Sequence, residues 1–220
     1  MNLFISCIIL LTCIFYDIPH VEAVEITEQV RMEGEDHVDF TITGKATIKN
    51  SNITGTLTVA GPLFIEHSHV GNGAIIGGVE AYGLDAYSLH VTGSISIGEQ
   101  TKVEALSVMG PLFIKNSKIG SLNIAGTIQS DDSKIISIEA TSNEMSFWNT
   151  RLGKVAVSSY SEDKKPIIIK FFGNTQIEEL SIYSTANPMA IIVLDDSTAL
   201  TFNKAQVNCT GAVEYKTYKP

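Results

Sequence analysis

Two histidines stand closest to a metal-ligand spacing in this chain. His67 and His69 lie two residues apart with Glu66 beside them. On an extended strand that spacing turns both imidazoles to one face, as a metal pair would need. An internal repeat supplies a control. Its equivalent positions hold Asn50 and Asn52 in one copy and Asn116 and Lys118 in another. The positions therefore accept any polar residue, and the expectation is a polar corner with no metal or other cofactor. Asp131-Asp132 and Asp195-Asp196 are the adjacent aspartate pairs, with Arg151 and Lys154 as basic neighbours. Two carboxylates and a basic residue are what a polysaccharide-cleaving β-helix enzyme would use. Both pairs read as solvated turn carboxylates. No Ser/His/Asp or Cys/His constellation and no phosphate-binding glycine loop stands out. The reading is a non-enzyme, with catalytic residues: none. His37 and His90 read as lone surface or strand residues, and Phe147, Trp148, Phe171 and Phe172 as core or end filling.

The elements that carry these residues repeat. GPLFIEHSHVG at 61–71 returns as GPLFIKNSKIG at 110–120. A looser template, an alternating apolar pair ahead of a glycine, anchors at Gly44, Gly61, Gly78, Gly93, Gly110 and Gly126, spaced 17, 17, 15, 17 and 16 residues apart. Repeats of this kind mark a solenoid, whose units bury an apolar face only by stacking on one another.

Each unit reads as three short strands. Leu57 and Val59 alternate before the glycine, and Leu63 and Ile65 after it; a polar corner such as Glu66-His67-Ser68 follows, then a single apolar residue, Val70. Period-two alternation marks strands with one buried face. Gly and Asn-Ser at fixed offsets mark the corners. The fold class is all-β: a single-stranded β-helix or solenoid of three short strands per coil of about 17 residues, nine or ten coils making a rod roughly 45 Å long. A sustained six-residue period is absent, although Val70-Gly71 and Ile76-Gly77 lie six apart, so a hexapeptide acyltransferase does not fit.

The ends read differently from the middle. Residues 3–16 are apolar and uncharged, too short for the 18 or so residues of a membrane span. Val21 and Ala23 follow as a cleavage site, so residues 1–23 read as an export signal. Its removal takes Asp17 and Glu22 and no base, moving the net charge from −9 to −7. Cys209 is then the one remaining thiol and has no intramolecular partner. Residues 24–39 read as an acidic N-terminal cap, 40–130 as regular coils, 131–205 as irregular coils and 206–220 as a C-terminal cap or tail. An acidic chain with two arginines, Arg31 and Arg151, makes a poor nucleic-acid binder.

The repeat at 44–138, with phrases such as ITGTLTVAGPLFI and VTGSISIGEQTKVEALSVMG, resembles the bactofilins, polymer-forming cytoskeletal proteins. It is also similar to exported β-helical heads of auto-transporter adhesins. The first resemblance implies a right-handed winding and end-to-end assembly, the second an exported surface module. Neither implies catalytic residues. The expected function is an exported structural or adhesive module, secreted, periplasmic or at the cell surface. Its partners would be a protein or glycan surface, or a second copy at the solenoid ends; after cleavage no stable membrane span remains. The expected binding face carries Thr41, Thr58, His90, Ser107 and Asn123.

Overall fold

The computed structural model describes residues 24–26, 29–159, 166–184, 189–195, 202 and 206–218. The proposed export signal, residues 1–23, lies outside them. The chain winds as a parallel β-solenoid of about 17 residues per turn. Its first strands are β1 (Val24–Ile26), β2 (Val30–Glu33), β3 (Asp36–His37), β4 (Phe40–Thr43), β5 (Ala46–Lys49), β6 (Asn52–Ala60), β7 (Leu63–Glu66) and β8 (His69–Ile76). The middle coils supply β9 (Val79–Tyr82), β10 (Asp85–Thr92), β11 (Ile95–Gly98), β12 (Lys102–Met109), β13 (Leu112–Lys115), β14 (Lys118–Ala125), β15 (Ile128–Asp131) and β16 (Lys134–Thr141). The last are β17 (Glu144–Trp148), β18 (Arg151–Ser159), β19 (Ile167–Phe172), β20 (Gln176–Ser184), β21 (Met189–Leu194), β22 (Gln206–Cys209) and β23 (Ala212–Thr217).

Two parallel sheets result. One runs β1-β4-β6-β8-β10-β12-β14-β16-β18-β20-β22, with β3 also paired to β6; the other runs β2-β5-β7-β9-β11-β13-β15-β17-β19-β21-β23. The long strands of the first sheet are bent. In β14, Ile119 is buried, Gly120 and Ser121 both face outward, and burial resumes at Leu122 and Ile124. Two successive outward residues reset the alternation, which a straight strand cannot do. Two of the three expected strands are thus one hydrogen-bonded strand turned at a corner.

Stacking converts the repeat into ladders. Leu89 lies over Leu106 and Leu106 over Leu122, while Val91, Val108 and Ile124 form the next column. On the short-strand sheet, Ile95, Leu112, Ile128 and Met145 stack in register. All are at most 2 % exposed. Each such side chain contributes about 1.5–3 kcal/mol by leaving water. Further along, Phe147 stacks on Phe171 at 5.6 Å between ring centres, and Phe202 packs on Phe171 at 5.5 Å.

The corners have their own columns. After β5, β7, β13, β15 and β17 the chain takes a left-handed residue, Asn50, His67, Asn116, Asp132 and Asn149 with φ between 46° and 50°; Gln100, at φ 61°, turns the corner after β11, and glycines at 83 and 173 do so after β9 and β19. Asn, Asp and His tolerate that region better than other non-glycine residues. After each non-glycine corner residue the next side chain turns a hydroxyl inward, whereas Leu84 follows Gly83 and Asn174 follows Gly173. Ser117 Oγ donates to the Lys115 carbonyl at 2.7 Å, and Ser133 Oγ accepts from Ser117 N at 3.2 Å while donating to the Asp131 carbonyl. Ser51, Ser68, Thr101 and Thr150 occupy the same column and are buried. These hydroxyls satisfy backbone groups that the turn takes out of the sheets.

The opposite corner is a glycine column. Gly44, Gly61, Gly77, Gly93, Gly110 and Gly126 all have φ between 130° and 155°. It is Gly77, not Gly78, that holds the column, so the spacings are 17, 16, 16, 17 and 16. Regularity also extends beyond Gly126. β16 and β18 keep the register through Ser137↔Lys154 and Glu139↔Ala156, and the sequence separation between successive strands lengthens after β18. Residues 24–39, read as a cap, already supply β1, β2 and β3, and the 206–220 segment supplies β22 and β23 to the two sheets. The apolar run in β19 is paired on both sides, by β17 and β21.

Candidate functional site

The residues named for an outer face stand in one column. Thr41 pairs with Thr58, Thr58 with Ala74, Ala74 with His90, His90 with Ser107, and Ser107 with Asn123. Ala74 is the member that the sequence reading omitted, because anchoring that coil at Gly78 instead of Gly77 slipped its register by one residue. Glu139 and Ala156 continue the column. A shallow open depression runs along it past Ser88, His90, Ser107 and Asn123. One flank of the face is apolar: Ile76 is 67 % and Met109 57 % exposed, with Thr92 between them in register. Such a face offers hydroxyl and amide hydrogen bonds beside a small apolar ridge.

His67 and His69 do not share a strand face. His67 is the left-handed corner residue, and His69 begins β8 and pairs with Asn52 and Asp85. Alternation by two does not run through a corner, so the premise of the pair fails. His67 Nε2 lies 3.9 Å from Glu66 Oε1, and His69 Nδ1 lies 3.9 Å from Asp85 Oδ2. Among the described residues, no group of three or more His, Cys, Asp or Glu side chains could hold a metal ion.

The aspartate pairs do not converge. Asp131 pairs with Trp148 and Trp148 with Phe172, while Phe171 pairs with Leu194, so Asp195 sits three coils from Asp131. Three coils are roughly 14 Å. Asp195 Oδ2 accepts from Gly173 N at 2.7 Å, and Asp196 lies outside the described residues.

The outer side of the short-strand sheet carries aromatic residues. Lys49 Nζ donates to Glu66 Oε2 at 2.6 Å and stands 5.2 Å above the Phe64 ring centre. The Glu66 carboxyl is held below its ordinary pKa, first by the hydrogen bond from Lys49. Phe64 meets Tyr82 at 5.9 Å, and the Tyr82 ring covers Gly98, where a Cβ would come within 2.7 Å of it. Of the four aromatics expected as filling, Phe147 and Phe171 are in the core. Phe172 is partly buried, and Trp148 is 48 % exposed, beside a hollow that Phe113 also lines.

A further column escaped the sequence reading. Asp36, Asn52, His69 and Asp85 stack in register, then Lys102, Lys118, Lys134 and Arg151, then Gln176. The four cations are 16, 16 and 17 residues apart, the glycine spacing itself, and that was the signal available. Lys102 Nζ lies 2.7 Å from Glu104 Oε1. That hydrogen bond, with the charges of Glu104 and Asp85, raises its pKa. Beside the cations runs an open groove bordered by Gln100, Asn116, Asp132 and Asn149.

Cys209 is partly buried and packs against the core, its Sγ 3.5 Å from Gly211 N. Compared with protein-family models, curated proteins and solved structures, the chain matches none of them.

Proposed function

We propose that the protein is an exported, non-enzymatic β-solenoid acting as a structural or adhesive module in the envelope or at the cell surface. The observation that carries this reading is the straight outer column Thr41, Thr58, Ala74, His90, Ser107 and Asn123, a long polar face rather than a cleft. A rod of stacked coils presents many weak contacts at one pitch, which suits binding to an extended surface. The likeness of its repeat to adhesin heads supports the same reading, and the apolar segment before Val24 supports export.

Cell fractionation with amino-terminal sequencing tests export. The expected product begins at Val24 and is found outside the cytoplasm; a cytosolic chain retaining residues 1–23 overturns the proposal. Retention of the purified chain on producing cells tests adhesion, and is expected to fall in a His90→Glu/Asn123→Glu variant. The rival reading, a bactofilin-like filament built end to end, predicts sedimentation that rises with concentration and rods by electron microscopy.

A further inference from the structure

We propose that Lys102, Lys118, Lys134 and Arg151 form a binding site for a linear acidic polysaccharide, with one carboxylate-bearing sugar lying along each coil. This deepens the adhesive reading and rests on it. Consecutive coils place the backbones of these four residues about 4.8 Å apart in a single register column. Their backbones are held coil to coil: Lys118 N donates to Thr101 O at 2.9 Å, Lys134 N to Ser117 O at 2.9 Å, and Arg151 N to Ser133 O at 2.8 Å. The backbone of the row is therefore preorganised, and no loop must be ordered to form it.

Like charges stacked in register repel one another. Lys102 has its partner in Glu104. Among the described residues, Lys118, Lys134 and Arg151 have no carboxylate within ion-pair distance. Asp132 on the neighbouring corner column is the carboxylate of the groove. An anionic chain with its charges at the coil pitch would remove that repulsion. An extended chain of pyranose rings advances by close to one coil per ring.

The second column of the groove fits the rest of a sugar. Gln100, Asn116 and Asn149 place amides beside the cations, so sugar hydroxyls meet amides while carboxylates meet Lys and Arg. Asn149 Oδ1 already accepts from Asn174 N at 3.0 Å, which leaves its amide N–H groups to donate. No residue lining this groove is aromatic, so the bases of a single-stranded nucleic acid would find no stacking platform there. The row is one side chain wide, matching one polymer strand rather than a duplex.

Fluorescence anisotropy with labelled oligogalacturonate and the full mature chain tests the site. The wild type is expected to bind at low salt and to weaken as NaCl rises. Lys118→Gln/Lys134→Gln is expected to lower affinity about tenfold and roughly halve the salt slope. A charge-matched control away from the groove, Lys45→Gln/Lys216→Gln, is expected to stay within about twofold of wild type. All four substituted residues are exposed, so circular dichroism should be unchanged. An equal loss in the control, or equal affinity for neutral dextran or single-stranded polyadenylate, overturns the site. A chain that is retained on cells yet ignores oligogalacturonate also overturns it and leaves the adhesive reading standing. Retention on neither removes both.

Discussion

Gly61 stands directly over Gly44, and the position a Cβ on Gly61 would take is already filled by the Gly44 carbonyl oxygen. The same holds for Gly77 over Gly61, Gly93 over Gly77, Gly110 over Gly93 and Gly126 over Gly110. The corner of the solenoid is therefore as tight as backbone-on-backbone packing permits. Each residue there also needs a positive φ that side chains disfavour.

Alanine at this corner should be costly. Gly93→Ala is expected to lower stability by about 2–4 kcal/mol, from strain at a φ of 142° and displacement of the coil below. Gly78→Ala is the control: its Cβ would meet nothing nearer than Ser94 Oγ at 3.6 Å, and a change within about 0.5 kcal/mol is expected. Urea denaturation midpoints compare the two. Equal losses would place the anchor at the wrong glycine.

The inward hydroxyl column makes a second contrast. In Ser133→Ala, the buried Ser117 N–H loses its acceptor, and about 1–3 kcal/mol should be lost. Ser133→Thr keeps the oxygen and adds a methyl, as Thr101, Thr150 and Thr175 already do in their coils. It should stay within about 1 kcal/mol of wild type. Hydrogen exchange at the Ser117 amide should quicken in the alanine variant and not in the threonine variant.

Acid titration isolates the Lys49–Glu66 pair. The Glu66 pKa is lowered in the folded state, so the pair stabilises above the ordinary glutamate value of 4.5, and that contribution is lost as pH falls through the folded value. Carboxyl NMR should place the Glu66 midpoint below 4.5 and move it upward in Lys49→Met. An unmoved midpoint would assign the shift to something other than Lys49. Lys102 has the opposite sign: its pKa is raised, so its pairing with Glu104 is complete below 10.5 and fades as pH climbs through the folded value.

Much of this architecture was written in one dimension. The period of 16 or 17, the apolar alternation around Leu57 and Val59, and the Asn-Ser corners follow from sequence because a solenoid repeats local geometry. Stacked parallel strands then leave few ways to bury those residues. Phe147 and Phe171 as filling were legible for the same reason. Trp148 was not, since adjacent residues in a strand face opposite ways, and Phe147 claims the inside.

What tertiary structure alone decided was phase. Alternation by two identifies a face only while the chain stays extended, and each corner resets it. His67 spends its position on a left-handed turn, so its spacing from His69 carries no meaning as a pair. Gly77 rather than Gly78 closes the corner because the coil beneath leaves room for no Cβ at that place. The same registration, set by hydrogen bonds between coils, gathers Lys102, Lys118, Lys134 and Arg151 into one row from four separate turns. The repeat thus determined that there would be columns. Backbone contact between neighbouring coils determined which residues stand in each.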